Sequence, residues 1–304
     1  MSTGDPRPGE YLDRRYLLCE EVGRGGHGVV FRAIDNQTNT PVAVKVLNQV
    51  TASDPQYAVR LWREAQSLAA LLGSSVVRVH GFGTDPWGSV YMVMELLEGE
   101  TFEEHLAGME LFGDRISAFE LLTTLEPVVK ALHMAHAKGI IHRDVKPGNI
   151  FLQAPELGGG VRLMDFGLAK VQGAEQLTKA GMVAGSPSYI APELWSEDSY
   201  DHRIDVYSLA AVVFRAFSGR PPFLGANTVE LYIKATSAER PRLSPYRPDL
   251  LPEIDQWVAR ALAIRSEDRY PYVTTMWNDL VQIVKRGSSP SAYKAREVFT
   301  APLI

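Results

Sequence analysis

Ile140-Ile141-His142-Arg143-Asp144-Val145-Lys146-Pro147-Gly148-Asn149 decides how this chain is read. After the apolar pair Ile140-Ile141, a base, cations and a side-chain amide fall within a few residues of one another. Two further short signatures follow downstream in fixed order, Asp165-Phe166-Gly167 and then Ala191-Pro192-Glu193. Chance agreement of all these elements, in this order, is negligible.

Upstream, Gly23-Arg24-Gly25-Gly26-His27-Gly28-Val29-Val30 contains G-x-G-x-x-G. Alone this motif is weak, because a flexible turn or a dinucleotide site would also use it. A dinucleotide site wants a helix directly after the glycines. Here Val29-Val30-Phe31-Arg32-Ala33 continues as strand, so the glycines tip a hairpin. At such a tip, backbone N–H groups can approach phosphate oxygens without side-chain interference. Alternation in Val42-Ala43-Val44-Lys45-Val46 and in 89–94 predicts two further strands. Between them a helix is expected, capped by Asp54, entered through Pro55 and ended by Gly73. Its apolar stripe runs through Ala58, Leu61, Trp62, Ala65 and Leu68. Glu64 borders that stripe and needs a cationic partner, for which Lys45 is a candidate and a pair of unrelated surface charges the alternative.

After Glu98-Gly99 the chain turns helical. Helices are expected over 119–137, 205–217, 254–263 and 273–284, the second apolar nearly all round and therefore central. The organisation is a flexible segment 1–15, a β-rich lobe 16–94, a connection 95–99, a helical lobe 100–286 and a tail 287–304.

The combined motifs resemble the eukaryotic-type serine/threonine protein kinases, in the texture of their bacterial branch. Arg63-Glu64-Ala65, Asp165-Phe166-Gly167-Leu168-Ala169 and Asp205-Val206-Tyr207-Ser208-Leu209 carry that texture, and the resemblance runs from about Tyr16 to Arg286. It implies an α+β bilobal kinase fold with ATP in the cleft and protein substrates. It further implies that Lys45 binds the α/β-phosphates and pairs with Glu64, that Asp144 accepts the substrate hydroxyl proton, and that Lys146 touches the moving phosphoryl group. Asn149 and Asp165 are then the holders of Mg²⁺, whose hard character suits oxygen ligands. Such chemistry needs charge neutralisation and an in-line hydroxyl more than covalent help. Gly23, Gly25 and Gly28 are the phosphate-cradling glycines in this picture. Val22, Val30, Ala43 and Leu152 sandwich adenine, with ordinary core as the alternative role for each. Met94 stands at the back of the pocket, and the backbones of Glu95 and Leu97 offer hydrogen bonds to the base. Glu193 and Arg269 form a structural ion pair, and Asp205 is a buried anchor for the catalytic loop. Lys146 and Gly185-Ser186 favour Ser/Thr acceptors over Tyr. Arg143 meets a phosphorylated residue of the activation segment, for which Thr178 is the candidate.

Composition agrees with a globular enzyme and excludes other classes. Of 304 residues, 45% are hydrophobic and 22% charged, too apolar for a disordered chain. A net charge of −5 argues against nucleic-acid binding, which rests on clustered Lys and Arg. The single cysteine, Cys19, excludes an internal disulfide and fits a reducing, cytoplasmic compartment. The start of the chain carries neither a signal-peptide pattern nor the glycine needed for myristoylation. The longest apolar run, 206–214, is far below the roughly 20 residues that span a bilayer. A homodimer is allowed.

Two other classes compete: an inactive kinase-like scaffold and a small-molecule phosphotransferase. Lys45, Glu64, Asp144, Asn149 and Asp165, all present, weigh against the first. The long segment from Asp165 to Glu193, suited to docking a peptide, weighs against the second. His133 and His136 read as a helix-surface pair rather than metal ligands. Glu98, Glu100, Glu103 and Glu104 read as a solvated acidic face, with Glu100 a candidate for favouring a basic residue upstream of the acceptor.

Overall fold

A computed structural model describes residues 7–25, 28–47, 71, 73–85, 88–166, 186–195 and 199–287. The expected helix carrying Glu64 and the segment carrying Thr178 lie outside the described residues.

The first lobe is one antiparallel sheet in the order β1-β2-β3-β4-β6-β5. Its strands are β1 (Tyr11–Leu12), β2 (Tyr16–Gly25), β3 (Gly28–Asp35), β4 (Thr40–Leu47), β5 (Val79–Thr84) and β6 (Val90–Glu95). Side chains alternate across a strand, and β4 uses both faces. Val42, Val44 and Val46 join Leu18, Phe31, Tyr91 and Val93 in one core. Ala43 turns to the opposite face, where it packs with Met92, Met94 and Val77. Lys45, two residues on, shares the face of Ala43. Cross-strand register sets Lys45 between Val30 and Met92, and Ala43 between Arg32 and Met94.

The flexible segment expected over 1–15 is corrected in its second half. Gly9 donates to the Leu18 carbonyl at 2.7 Å, β1 pairs with β2, and Arg15 reaches Asp35 at 2.7 Å. Backbone pairing to an existing sheet edge compensates for the Pro, Gly and charge of this stretch.

The second lobe begins with a small sheet, β7 (Gly99–Thr101), β8 (Ile150–Gln153) and β9 (Val161–Leu163), in the order β7-β8-β9. Among the described residues six helices follow the first of these strands: α1 (Phe102–Leu111), α2 (Ala118–His136), α3 (Arg203–Ser218), α4 (Thr228–Ser237), α5 (Glu253–Ala261) and α6 (Val273–Gly287). Thr101 and Glu104 close a reciprocal capping box at the start of α1. Ser117 caps α2. Every residue of α3 from Ile204 to Ser218 is buried, as its uniform apolarity predicts, and α2, α5 and α6 pack around it. Gly219 ends it with a left-handed φ of 76°. Helix α6 runs through Gly287, one residue into the expected tail. Among the described residues no helix is long and apolar enough to cross a membrane.

Candidate active site

The site is built outward from α3. Asp205, fully buried, accepts from the backbone N–H groups of His142 at 2.8 Å and Arg143 at 2.9 Å, and from His136 Nε2 at 2.7 Å. Burial alone would push this carboxyl up, but the His136 hydrogen bond and those from the loop hold it below its ordinary value. Arg143 takes a left-handed φ of 66°, a conformation costing a non-glycine residue roughly 1 kcal/mol. His142 is completely buried. Its Nδ1 accepts from the Asp144 N–H at 3.2 Å, so its Nε2 carries the proton donated to the Met164 carbonyl at 2.9 Å. Burial lowers its pKa, which matches this neutral ring. His136 thus corrects the surface-pair reading: its neighbour His133 is exposed, but its own side chain turns inward to Asp205.

The loop so pinned presents its polar groups together. Lys146 Nζ donates to Asp144 Oδ2 at 2.8 Å. Asn149 Nδ2 donates to the Asp144 carbonyl at 2.7 Å and to Oδ2 at 2.9 Å. Both amide protons are therefore engaged, and the amide oxygen is left as the donor atom for a cation. Pro147–Asn149 forms a 3-10 turn that leads into β8, and the Met164 N–H donates to the Asn149 carbonyl at 2.8 Å. That bond ties the residue before Asp165 to Asn149, and Asp165 itself takes a left-handed φ of 50°. Phe166 is buried and its ring lies 4.4 Å from that of His142. From the other lobe, Lys45 Nζ reaches Asp165 Oδ1 at 2.7 Å. In this structure Lys45 meets Asp165; its expected pairing with Glu64 falls outside the described residues.

The Asn149 amide oxygen and the Asp165 carboxylate are hard donors, of the kind that suits a small divalent cation completing its shell with water and phosphate oxygens. Val30, Leu97 and Met164 pack, partly buried, against an apolar cluster of Ala43, Met94, Met92 and Val77. Leu152 is half-buried against the core of the helical lobe, and Val22 is 52% exposed on the glycine hairpin. Glu95, at the end of β6, gives its N–H to the Arg78 carbonyl at 2.9 Å. Gly25 pairs with Gly28, and Gly23 with Val30, across a true hairpin. Gly28 has φ 145°, and a Cβ there would lie 2.0 Å from the Val46 carbonyl oxygen. Only glycine fits.

Glu193 meets Arg269 in a two-pronged pair at 2.6 and 2.7 Å, with the Arg269 side chain fully buried. The four acidic residues read as a solvated face are each engaged: Glu98 with Arg32, Glu100 with His105, Glu103 with Arg215, and Glu104 in the α1 capping box. Sequence reasoning missed Met164, whose signal was its place between β9 and Asp165. It also missed Arg215, hidden near the end of an otherwise apolar stretch of α3.

The chain matches the family model described as "Protein kinase domain" over residues 16–278. Among curated proteins it is 34% identical to serine/threonine-protein kinase PknL of Mycobacterium tuberculosis over 95% of this chain and 70% of that protein. It is 36% identical to serine/threonine-protein kinase PknA of the same species over 94% of this chain and 64% of the relative. The M. tuberculosis PknI kinase domain superposes with a TM-score of 0.74 at 27% identity, covering 92% of this chain and all of that one. The chain belongs to the protein kinase domain family, as a serine/threonine protein kinase of the bacterial type. The α+β bilobal fold and the ATP-dependent phosphotransferase class expected from the motifs follow from that membership.

Proposed function

We propose that Asp144, Lys146, Asn149, Asp165 and Lys45 together transfer the ATP γ-phosphoryl group to Ser/Thr hydroxyls of protein substrates, with Mg²⁺ as the metal. The observation that carries this is two sets of contacts, Lys45 on Asp165 and both Lys146 and Asn149 on Asp144, joined through the backbone bond from Met164 to Asn149. Asp144 orients the acceptor hydroxyl and takes its proton. Lys146, already on the Asp144 carboxylate, supplies positive charge where the phosphoryl group crosses. Asn149 and Asp165 hold the cation, which neutralises phosphate charge when bound. Lys45 steadies the phosphates, and Glu64 is its partner in the working arrangement. Phosphoryl transfer gains most from such positioning and fixed charge. The Gly23-Gly25-Gly28 hairpin covers the phosphates. Val22, Val30, Ala43, Met94 and Leu152 enclose adenine, which bonds to the backbones of Glu95 and Leu97.

Thr178 is the expected site of autophosphorylation, with Arg143 as its clamp. The acidic balance supports protein rather than nucleic-acid partners, and the lone Cys19 supports a cytoplasmic location. A homodimer is compatible with this reading.

The test is transfer of labelled phosphate from ATP to a generic basic protein with Mg²⁺. Asp165→Asn is expected to abolish transfer while leaving the thermal melting cooperative. Full activity in that variant would overturn the assignment.

A further inference from the structure

Arg215 is the odd residue of α3. A buried guanidinium is costly unless fully paired, and an apolar side chain of similar size would often stabilise a core equally well. Its retention inside a helix buried all round therefore asks for a role beyond stability.

Its contacts supply one. Arg215 NH1 donates to the phenol oxygen of Tyr189 at 3.0 Å and to both carboxylate oxygens of Glu103 at 2.6 Å. Its Nε and NH2 reach Glu110 at 3.1 and 3.3 Å. Glu103 and Glu110 both belong to α1, which packs on the Pro147–Asn149 turn of the catalytic loop. Tyr189, almost wholly buried, closes the short turn Ser186–Tyr189 that leads into Ala191-Pro192-Glu193. Its backbone carbonyl accepts from Ser208 Oγ at 2.7 Å. Ser208 and Arg215 lie two turns apart on one side of α3. The helix thus grips Tyr189 at both ends, backbone and phenol. It grips α1 with the same guanidinium. Burial raises the Tyr189 pKa to about 12, so the phenol stays neutral as the acceptor of this bond.

We propose that Arg215 is a positioning residue for the phosphoryl acceptor. Through Tyr189 it fixes the 186–193 segment at a set distance from α1 and the catalytic-loop turn, so that a peptide lying along that segment brings its hydroxyl to Asp144. This rests on the reading of the site given above. Its signature is selective, because the tie touches the peptide-facing segment and not the apolar cluster around Ala43 and Met94 or the glycine hairpin.

Tyr189→Phe removes only the phenol oxygen and is the decisive variant. Its KM for a peptide substrate is expected to rise about tenfold to a hundredfold, the loss of one hydrogen bond to a charged group, while its KM for ATP stays at the parent value. Arg215→Met is expected to show the same split more strongly, and Arg215→Lys to recover part of it. The Tyr189→Phe protein should stay folded at the assay temperature and melt cooperatively a few degrees below the parent, and the split between the two KM values separates positioning from unfolding. An unchanged peptide KM in Tyr189→Phe, or equal rises in the KM values for peptide and ATP, would overturn the proposal. A parent enzyme that transfers nothing to any peptide would instead fail the reading of the site itself, and this inference with it.

Discussion

Replacing Asp205 with Asn tests whether the catalytic loop is held by the fold or holds itself. The carboxylate accepts three hydrogen bonds: Arg143 N–H on Oδ1, and His142 N–H and His136 on Oδ2. An amide has one acceptor oxygen, so one side of this arrangement must fail. If the oxygen keeps His142 and His136, the new NH2 group faces the Arg143 N–H, donor against donor. A hydrogen bond to a charged group contributes about 1.5–3 kcal/mol, and a buried donor left unpaired costs about 1–3 kcal/mol. These overlap, so the expected loss is about 3 kcal/mol, a sizeable part of the roughly 5–15 kcal/mol that stabilises a domain. Arg143, no longer tied, can also relax from its left-handed φ of 66°. Asp144 is its neighbour, and a displacement of an ångström at a reacting group can lower turnover about a hundredfold. Urea unfolding monitored by tryptophan fluorescence gives the first quantity and steady-state kcat the second. A stability loss below about 0.5 kcal/mol with kcat within twofold of the parent would refute the anchoring argument.

Two further outcomes follow from buried charge. Glu193→Ala leaves the fully buried Arg269 without its two-pronged partner, and the expected cost is about 3–5 kcal/mol in urea unfolding. His142 makes the fold sensitive to mild acid. Burial holds its pKa below the ordinary 6.5 against the pull of Asp205, Asp144 and Asp165. The unfolded chain then takes up the proton first, so this contribution to stability is complete above about pH 6.5 and is lost as pH falls towards the folded value. Its slope is at most about 1.4 kcal/mol per pH unit, and it should be missing from His142→Phe when unfolding is compared at pH 7.5 and 5.5.

The parts of the molecule legible in sequence are those where one residue type has one physical reason to be present. The alternation of Val42-Ala43-Val44-Lys45-Val46 marked β4 as a strand. The uniform apolarity of 206–214 marked α3 as central. The order and spacing of the motifs around Asp144, Asp165 and Glu193 announced the protein kinase family, which the match over residues 16–278 bears out. What stayed hidden depends on partners distant in sequence. His136 reads as half of a helix-surface pair because nothing local shows that Asp205 lies behind it. The partners of Glu98 and Glu103 stayed hidden because Arg32 and Arg215 approach them from other elements. Residues 7–15 read as loose because edge pairing to β2 is invisible to local composition.

The same contrast explains why polar residues sit where they do in α3. A helix buried on all sides could be wholly apolar, and each polar group admitted must repay its desolvation through contacts made elsewhere. Asp205 does so on the catalytic loop, Ser208 on the Tyr189 carbonyl, and Arg215 on the Tyr189 phenol and α1. Each of these targets lacks a regular hydrogen-bonded element of its own to hold it, or must be held against another piece. The catalytic loop carries left-handed residues at Arg143 and Asp165, a strain of about 1–3 kcal/mol each that persists only where the surroundings over-determine it. Three charge-assisted bonds to one buried carboxylate are of the size needed to offset it. A rigid central helix can therefore supply what the loops cannot: one frame against which the proton acceptor, the acceptor segment and α1 are all set.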